Sequence, residues 1–164
     1  MPAGCVRPAF WARARPVSVL FVCLGNICRS PAAEAVFAAA IAADDLNIGA
    51  DSAGTSDWHL GKPPYRPMID CAARRGIDMT HLRARQFEPS DFDRFDLIIA
   101  MDAANQRDIE TLRPPGDRTP VQLFLDYAPQ VDLRDVPDPY YTRDFDTALD
   151  LIQAATSGLV ASLR

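Results

Sequence analysis

The stretch "VLFVCLGNICRSPAAEAVF", residues 19–37, indicates the fold more strongly than any other part of the chain. It begins inside an uninterrupted apolar run, residues 17–23, whose β-branched side chains are typical of a buried parallel strand. Ser30 and Pro31 then predict a helix start, because proline in the first turn loses no hydrogen bond. We expect Glu34 to lie close enough to this start to complement the positive end of the helix. A short loop between a buried strand and a helix is typical of α/β proteins.

Strand and helix signals alternate along the rest of the chain. The predicted strands are residues 47–55, 95–101 and 119–125, and the predicted helices are residues 66–77, 102–112 and the amphipathic segment from Phe145 to Leu163. We therefore predict one α/β domain, with an open, twisted, mostly parallel four-stranded sheet and helices on both faces. Right-handed crossovers place functional loops at the carboxyl ends of the strands, and the loop after residue 23 lies at such an end.

The composition is that of an ordinary globular domain. Of the 164 residues, 48% are hydrophobic and 24% are charged, which allows a core large enough to need no covalent staples. The net charge of −5 argues against a nucleic-acid surface, although an acidic chain can still hold a local cationic pocket for an anion. No apolar run approaches the ~20 residues of a membrane span.

Residues 1–16 differ from the remainder of the chain, because they contain Arg7, Arg13 and Arg15 but no acidic residue. We predict that they form a disordered N-terminal extension and that residues 17–164 form the domain. Their apolar core is too broken for a secretory signal peptide. A transit peptide and a misplaced start codon are the alternatives, and we assign this segment no function.

The four cysteines, at positions 5, 23, 28 and 71, allow two structural interpretations besides free thiols. An even number invites a disulfide framework, but a chain of this length with a large core does not need one. A zinc site is the other alternative, and two loop cysteines with only His59 and His81 elsewhere are a poor ligand set. We therefore expect free thiols in a reducing cytosol.

The loop between the first strand and its helix combines features suited to binding an anion. Gly25 and Asn26 tolerate unusual backbone conformations, so successive N–H groups can point inward as a nest. The helix start adds its positive end, and Arg29 supplies a planar fork of donors for two phosphate oxygens. A thiol in this positive field should lose its proton easily and act as a nucleophile. The loop therefore predicts a site that binds and attacks a phosphate.

The segment "CLGNICRS", residues 23–30, closely resembles the C-x5-R-S phosphate loop of the low-molecular-weight protein tyrosine phosphatases. The resemblance continues in the stretches "SPAAEAVF" (30–37), "DSAGTS" (51–56), "AMDAANQRD" (100–108) and "PDPYY" (137–141), and so spans residues 17–164. It implies a Rossmann-like fold of the phosphotyrosine phosphatase I type. It also implies hydrolysis of phosphotyrosine and aryl phosphates through a phosphocysteine intermediate, without a metal or cofactor.

The same resemblance implies a role for each matching residue. Cys23 would be the nucleophile, Arg29 would bind the phosphoryl group, and Asp138 would protonate the leaving oxygen and then activate water. Ser30 would donate a hydrogen bond to the thiolate, and Asn26 would hold the loop backbone through Ser52. The phosphate-binding backbone would come from Leu24, Gly25, Asn26, Ile27, Cys28 and Ser30. A protonated Asp138 beside an ionised Cys23 predicts a pH optimum somewhat below neutral.

Three aromatic residues, Trp58, Tyr140 and Tyr141, match family positions that wall a deep slot for a phosphotyrosine ring. A phosphoserine would be too short to reach the cysteine. The apolar Ile27, where arginine phosphatases of the family carry threonine, also favours an aryl phosphate. The implied partner is a phosphotyrosine-containing protein. We expect a cytoplasmic monomer without nucleic-acid partners or a membrane span; secretion without a signal peptide and weak self-association are left as alternatives.

Several of these residues also have simpler interpretations. Cys28 either packs or pairs with Cys23 on oxidation, which would protect the nucleophile. Cys71 lies in a helical stripe and is predicted as core. Trp58 is either a pocket wall or partial core, Asp102 is predicted as a helix cap rather than a catalytic group, and Asp138-Pro139 alone is also a turn signal. His59 is predicted to be solvated.

The chain departs from the family pattern in two places. His81 lies one position earlier than the family histidine that braces the loop, and residues 61–70 lack the usual Pro-x-Asp-Pro-Arg arrangement. Two rival functions follow from the same motif. A thiol-dependent arsenate reductase needs redox cysteines further along the chain, and there is none after Cys71. A non-catalytic phosphotyrosine-binding module would need neither the thiol nor the acid.

Overall fold

The computed structural model describes residues 16–164, so all of the predicted extension except Pro16 lies outside the described residues. The strands are β1 (Val17–Cys23), β2 (Ile48–Gly54), β3 (Leu97–Ala100) and β4 (Val121–Leu123). The helices are α1 (Arg29–Ala43), α2 (Arg66–Arg74), α3 (Asp91–Arg94), α4 (Ala103–Glu110), α5 (Pro139–Thr142) and α6 (Phe145–Leu163), with a 3-10 helix at Phe124–Tyr127.

The four strands form one sheet in the order β2-β1-β3-β4, and every neighbouring pair is parallel. This confirms the predicted sheet. Cys23 pairs with Gly54, and Val22 pairs with Ala100. The carboxyl ends of β1, β2 and β3 are therefore level with one another, and the loops that follow them meet at one edge.

Helices cover both faces of the sheet, as predicted, and β1 is therefore buried on both sides. Val19, Phe21 and Cys23 belong to one apolar cluster, and Leu20 and Val22 belong to another. The larger cluster packs α1 and α6 against the sheet, and the smaller includes Phe87, Phe92 and Ile109. This alternation produces the uninterrupted apolar run seen in the sequence.

Two local predictions were wrong. The last predicted strand ends at Leu123, because Phe124 turns into a 3-10 helix and packs its ring 5.4 Å from Phe21. Helix α1 begins at Arg29, so Glu34 lies beyond its first turn and does not complement the helix end. Its carboxylate instead accepts a hydrogen bond from Ser52 Oγ at 2.7 Å. The short helices α3 and α5 were not predicted.

None of the helices within residues 16–164 is both long enough and apolar enough to span a membrane.

Candidate active site

A pocket of about 270 Å³ opens at the carboxyl end of β1. Its lining residues are Cys23, Leu24, Gly25, Ile27, Cys28, Arg29, Trp58, His59, Asp138, Tyr140 and Tyr141. Ten of these eleven were predicted as site residues, and His59 was not. The other three predicted residues, Asn26, Ser30 and Ser52, lie behind the lining as buried supports.

Cys23 ends β1, and its sulfur is held by groups of residues 23–30, which we call the phosphate loop. The N–H of Asn26 donates to Cys23 Sγ at 3.3 Å, and Ser30 Oγ lies 3.0 Å from the same sulfur. Ser30 Oγ accepts from Asn26 Nδ2 at 2.8 Å, so its one proton can point at the sulfur or at the carbonyl oxygen of Ala53, which lies at 3.3 Å. Two donors can therefore stabilise a thiolate at this position.

Asn26 fixes the shape of the phosphate loop. Its backbone is left-handed, with φ of 56°, a conformation that asparagine adopts more readily than most residues. Its Nδ2 also donates to Ser52 Oγ at 3.0 Å, the contact that the resemblance implied. Its Oδ1 accepts from the N–H of Arg85 at 2.9 Å. Together with the hydrogen bond to Ser30, these contacts hold the side chain of Asn26, which is 2% exposed.

Gly54 supports the phosphate loop from the neighbouring strand. A Cβ atom at this position would lie 2.8 Å from the carbonyl oxygen of Leu24 and 3.1 Å from the nitrogen of Asn26. Only glycine allows the loop backbone to approach β2 this closely. This role was not predicted from the sequence, because it depends on the pairing of Gly54 with Cys23 across the two strands.

Arg29 extends a buried guanidinium into the pocket. Its Nη1 donates to Asp102 Oδ2 at 2.6 Å and to the carbonyl of Val136 at 2.9 Å, and its Nη2 lies 3.4 Å from Asp138 Oδ2. Burial alone would lower the pKa of Arg29, but the charge on Cys23, the Asp102 hydrogen bond and the charge on Asp138 together raise it. The guanidinium therefore stays cationic in the pocket.

Asp102 caps α4, as predicted, because its Oδ1 accepts from the N–H of Asn105 at 2.7 Å. Its second oxygen binds Arg29, a contact that was not predicted from the sequence. The available signal was its position directly after β3, at the sheet edge where the loops meet.

Asp138 enters the pocket from a segment that is far from Cys23 and Arg29 in the sequence. It precedes α5, and its Oδ1 caps this helix by accepting from the N–H of Tyr140 at 3.0 Å. The segment before it is tied to the sheet, since the N–H of Val136 donates to the carbonyl of Met101 at 2.9 Å. Asp138 Oδ2 faces Arg29, and the structure thus brings together the three residues predicted to be catalytic.

The two cysteines of the phosphate loop differ in their surroundings. Burial raises the pKa of the Cys28 thiol well above its usual value, and the negative charges of Cys23 and Asp138 raise it further. Cys28 is therefore a neutral thiol at physiological pH, and only Cys23 has an arrangement of donors around its sulfur.

The aromatic residues form an exposed rim around the pocket. Trp58, Tyr140 and Tyr141, which we call the aromatic rim, are 62%, 42% and 68% exposed. The interpretation of Trp58 as partial core is therefore wrong. His59, predicted to be solvated, is half-buried and lies beside Gly25, whose Cβ would be 3.0 Å from its ring.

The remaining candidate residues lie away from the pocket. Cys71 is buried, as predicted, and its thiol donates to Asp146 Oδ1 at 3.1 Å. His81 is exposed and Leu82 is partly buried. Among residues 16–164, no three His, Cys, Asp or Glu side chains are grouped as a metal site requires.

Comparison with known proteins identifies the family. The family model described as low molecular weight phosphotyrosine protein phosphatase matches residues 18–164. The chain therefore belongs to this family.

Individual relatives agree with this assignment. The chain is 45% identical over 150 residues to the Bacillus subtilis low molecular weight protein-tyrosine-phosphatase YfkJ, covering 90% of this chain and 96% of the relative. It is 44% identical over 133 residues to the human low molecular weight phosphotyrosine protein phosphatase, covering 79% of this chain and 83% of the relative. The crystal structure of YfkJ superposes with a TM-score of 0.88 over 92% of this chain and 96% of that structure.

Proposed function

We propose that Cys23, Arg29 and Asp138 hydrolyse the phosphate ester of a phosphotyrosine-containing protein through a phosphocysteine intermediate. Family membership assigns the class, a phosphoric monoester hydrolase. The observation that carries the proposal is the convergence of a thiol, a guanidinium and a carboxylate in one pocket from loops far apart in the sequence.

In the first step, the Cys23 thiolate attacks the phosphorus and the bond from phosphorus to the phenolic oxygen breaks. Protonated Asp138 gives its proton to that oxygen, so that tyrosine leaves as a neutral phenol. Arg29 and the inward-facing amides of the phosphate loop hold the non-bridging oxygens, where charge must be stabilised as the phosphoryl group moves.

In the second step, water attacks the phosphocysteine and inorganic phosphate is released. Ionised Asp138 takes a proton from this water, which returns the acid to its starting state. The bond from phosphorus to sulfur breaks, and Cys23 leaves as a thiolate that the Ser30 hydroxyl and the Asn26 N–H stabilise. One water is consumed for each ester cleaved, and the enzyme is unchanged.

Three features support an aryl substrate on a protein. The aromatic rim and the apolar Ile27 give the pocket walls suited to a flat ring. The exposure of Trp58 and Tyr141 leaves room for a polypeptide at the mouth. We further propose that the enzyme acts in the cytoplasm as a monomer and binds no nucleic acid, in keeping with its net charge of −5.

The direct test is hydrolysis of p-nitrophenyl phosphate and of a phosphotyrosine peptide in the presence of EDTA. We expect turnover by the native chain and none by Cys23→Ser, because a serine hydroxyl is not ionised at neutral pH. Cys71→Ser is the matched control, since its thiol binds Asp146 outside the pocket, and it should retain native activity. Equal rates for the native chain and Cys23→Ser would remove Cys23 from the mechanism.

The acid role of Asp138 has its own test. Asp138→Asn can still cap α5 but cannot donate the proton, so we expect about a 100-fold fall in kcat. The fall should be larger for phenyl phosphate than for p-nitrophenyl phosphate, because the nitrophenolate leaves without protonation. A fall of the same size for both substrates would show that Asp138 is not the acid.

The same assays separate the two rival functions. Consumption of reduced thioredoxin that depends on arsenate would indicate an arsenate reductase. Tight binding of the phosphotyrosine peptide by the native chain without any release of phosphate would indicate a binding module.

A further inference from the structure

We propose that Tyr65 and Arg143 form a clamp behind the pocket that sets the distance between the phosphate loop and the wall formed by Tyr140. Both are positioning residues, because neither lines the pocket. On this proposal, which rests on the proposed function, the clamp determines the preference of the site for an aryl ligand over bare phosphate.

The main chain of Tyr65 is attached to the phosphate loop. Its N–H donates to the carbonyl oxygen of Ile27 at 2.8 Å, immediately before α2 begins. Ile27 itself lines the pocket. Tyr65 is therefore coupled to this wall of the pocket by a main-chain hydrogen bond.

The side chain of Tyr65 is attached to the opposite wall. Its ring centroid lies 5.3 Å from that of Tyr140 and 6.1 Å from that of Phe145, both within the range of favourable aromatic pairs. Tyr140 lines the pocket from α5, and Phe145 begins α6. One partly buried residue thus links the phosphate loop to the segment that carries the aromatic wall.

Arg143 completes the clamp from the end of α5. Its guanidinium carbon lies 5.3 Å from the ring centroids of both Tyr65 and Phe145. Its Nη1 donates to the hydroxyl of Tyr65 at 3.0 Å and lies 3.4 Å from the carbonyl oxygen of Tyr140. Arg143 makes these contacts from a left-handed backbone, with φ of 62°, which arginine rarely adopts.

Helix α5 needs such external support. It spans only Pro139–Thr142, and a single turn is not stable on its own. Its first N–H bond, from Tyr140, goes to the carboxylate of Asp138 at 3.0 Å. A shift of α5 would therefore move both the aromatic wall and the proposed acid, whereas the phosphate loop is held independently by the hydrogen bonds of Asn26 to Ser52 and Arg85.

The clamp has a consequence that separates it from ordinary structural support. Inorganic phosphate fills only the phosphate loop, whereas phenylphosphonate also places a ring against the aromatic wall. Loosening the clamp should weaken the binding of phenylphosphonate and leave the binding of phosphate nearly unchanged. General destabilisation of the pocket would weaken both ligands alike.

The experiment is isothermal titration of phosphate and phenylphosphonate into native chain and variants, all first shown by circular dichroism to be folded. For Tyr65→Leu we expect the Kd of phenylphosphonate to rise about 10-fold and that of phosphate to change less than about 2-fold, as the loss of an aromatic pair and a cation–π contact predicts. The KM for p-nitrophenyl phosphate should rise in parallel with the Kd of phenylphosphonate.

Two milder variants test the parts of the clamp. Tyr65→Phe keeps the ring and loses only the hydroxyl, so it should retain most of the native preference. Arg143→Gly removes the guanidinium at a position where glycine suits the positive φ, and should weaken phenylphosphonate about 3-fold. Tyr127→Leu is the matched control, because Tyr127 lies in the 3-10 helix with its hydroxyl bonded to Gln122, away from the pocket.

The outcomes are distinguishable. Equal weakening of both ligands by Tyr65→Leu, or no change in either, would overturn the clamp while leaving the proposed function intact. Failure of the native chain to bind phosphate at all would instead count against the proposed function. Since the titration needs no turnover, the two results cannot be confused.

Discussion

Asp102 binds the side chain of Arg29 with one carboxylate oxygen and caps α4 with the other. The first oxygen lies 2.6 Å from Arg29 Nη1, and the second accepts from the N–H of Asn105 at 2.7 Å. Because the cap fixes the carboxylate, the carboxylate in turn fixes the guanidinium. The orientation of Arg29, which we propose to bind the phosphoryl group, thus depends on a helix that follows β3.

Replacing Asp102 by asparagine should reduce activity more than stability. Asparagine still caps a helix, but it binds Arg29 without a charge, so the guanidinium loses its fixed direction. We expect Asp102→Asn to lower kcat/KM for p-nitrophenyl phosphate about 10-fold, as misplacement of a phosphate-binding group does. The free energy of unfolding should fall by less than about 1 kcal/mol in urea titration.

Asp117→Asn is the control for this prediction. Asp117 is paired with Arg113 at 2.8 Å but does not line the pocket, so its substitution should leave kcat/KM at the native value. A native rate for Asp102→Asn would show that Val136 and the phosphate itself are enough to orient Arg29.

Replacing Gly54 by alanine should displace the phosphate loop. The new methyl group would lie 2.8 Å from the carbonyl oxygen of Leu24, a backbone atom that cannot turn away as a flexible side chain could. We expect a fall in kcat/KM of about 10-fold or more, together with a loss of about 1–3 kcal/mol of unfolding free energy.

Gly49→Ala in the same strand is the matched control. A Cβ at Gly49 would meet Ser18 Cβ at 3.5 Å, an ordinary contact, so this variant should keep native kinetics. If both alanine variants behave alike, the close approach of the phosphate loop to Gly54 does not matter for activity.

The part of the site that could be predicted from the sequence is the part that is contiguous in the sequence. Residues 23–30 carry their own turn chemistry and sit between a clear strand and a clear helix, so their arrangement follows from local rules. Asp138 was predicted only through the resemblance, since an Asp-Pro pair alone is also a turn signal.

The contacts that were missed depend on strand order, which no local pattern encodes. Asp102 reaches Arg29 because β3 lies beside β1, and Gly54 reaches the phosphate loop because β2 lies on the other side. Helix α5 was missed for a different reason. A helix of a single turn is too short to show a periodic pattern of hydrophobic residues, so its sequence resembles that of a proline-containing loop.

Replacing Gly158 by alanine should reduce stability without acting on the pocket. A Cβ at this position in α6 would overlap the carbonyl oxygen of Tyr127, so α6 and the 3-10 helix would have to separate. We expect a loss of about 3 kcal/mol of unfolding free energy by urea titration, despite the better helix propensity of alanine. Ser157→Ala, one residue earlier and exposed, should be close to native. An unchanged Gly158→Ala would mean that the two helices are not packed in this way.

Glu34 is a partly buried carboxyl whose protonation should affect stability. The pKa of Glu34 is raised from 4.5 to about 7, chiefly by burial and also by the negative charge of Asp51. The hydrogen bond from Ser52 and the positive charge of Arg85 lower the pKa but do not cancel the effect of burial. Asp78 and His81 line the same surface depression as Glu34. The protonated carboxyl is therefore the form that suits the folded protein.

The pKa of Glu34 is higher in the folded protein than in the unfolded chain, so stability should fall as the pH rises. The stabilisation is fully present below pH 4.5 and is lost as the pH rises through about 7, because the folded protein must then bury a charge. After allowance for solvent screening, we expect this loss to be about 2 kcal/mol. Glu34→Gln resembles the protonated form, so its advantage over the native chain in urea unfolding should be near zero at about pH 4, already appreciable at pH 5 and largest at pH 8. A difference between the two chains that stays constant from pH 5 to pH 8 would show that Glu34 does not titrate in this range.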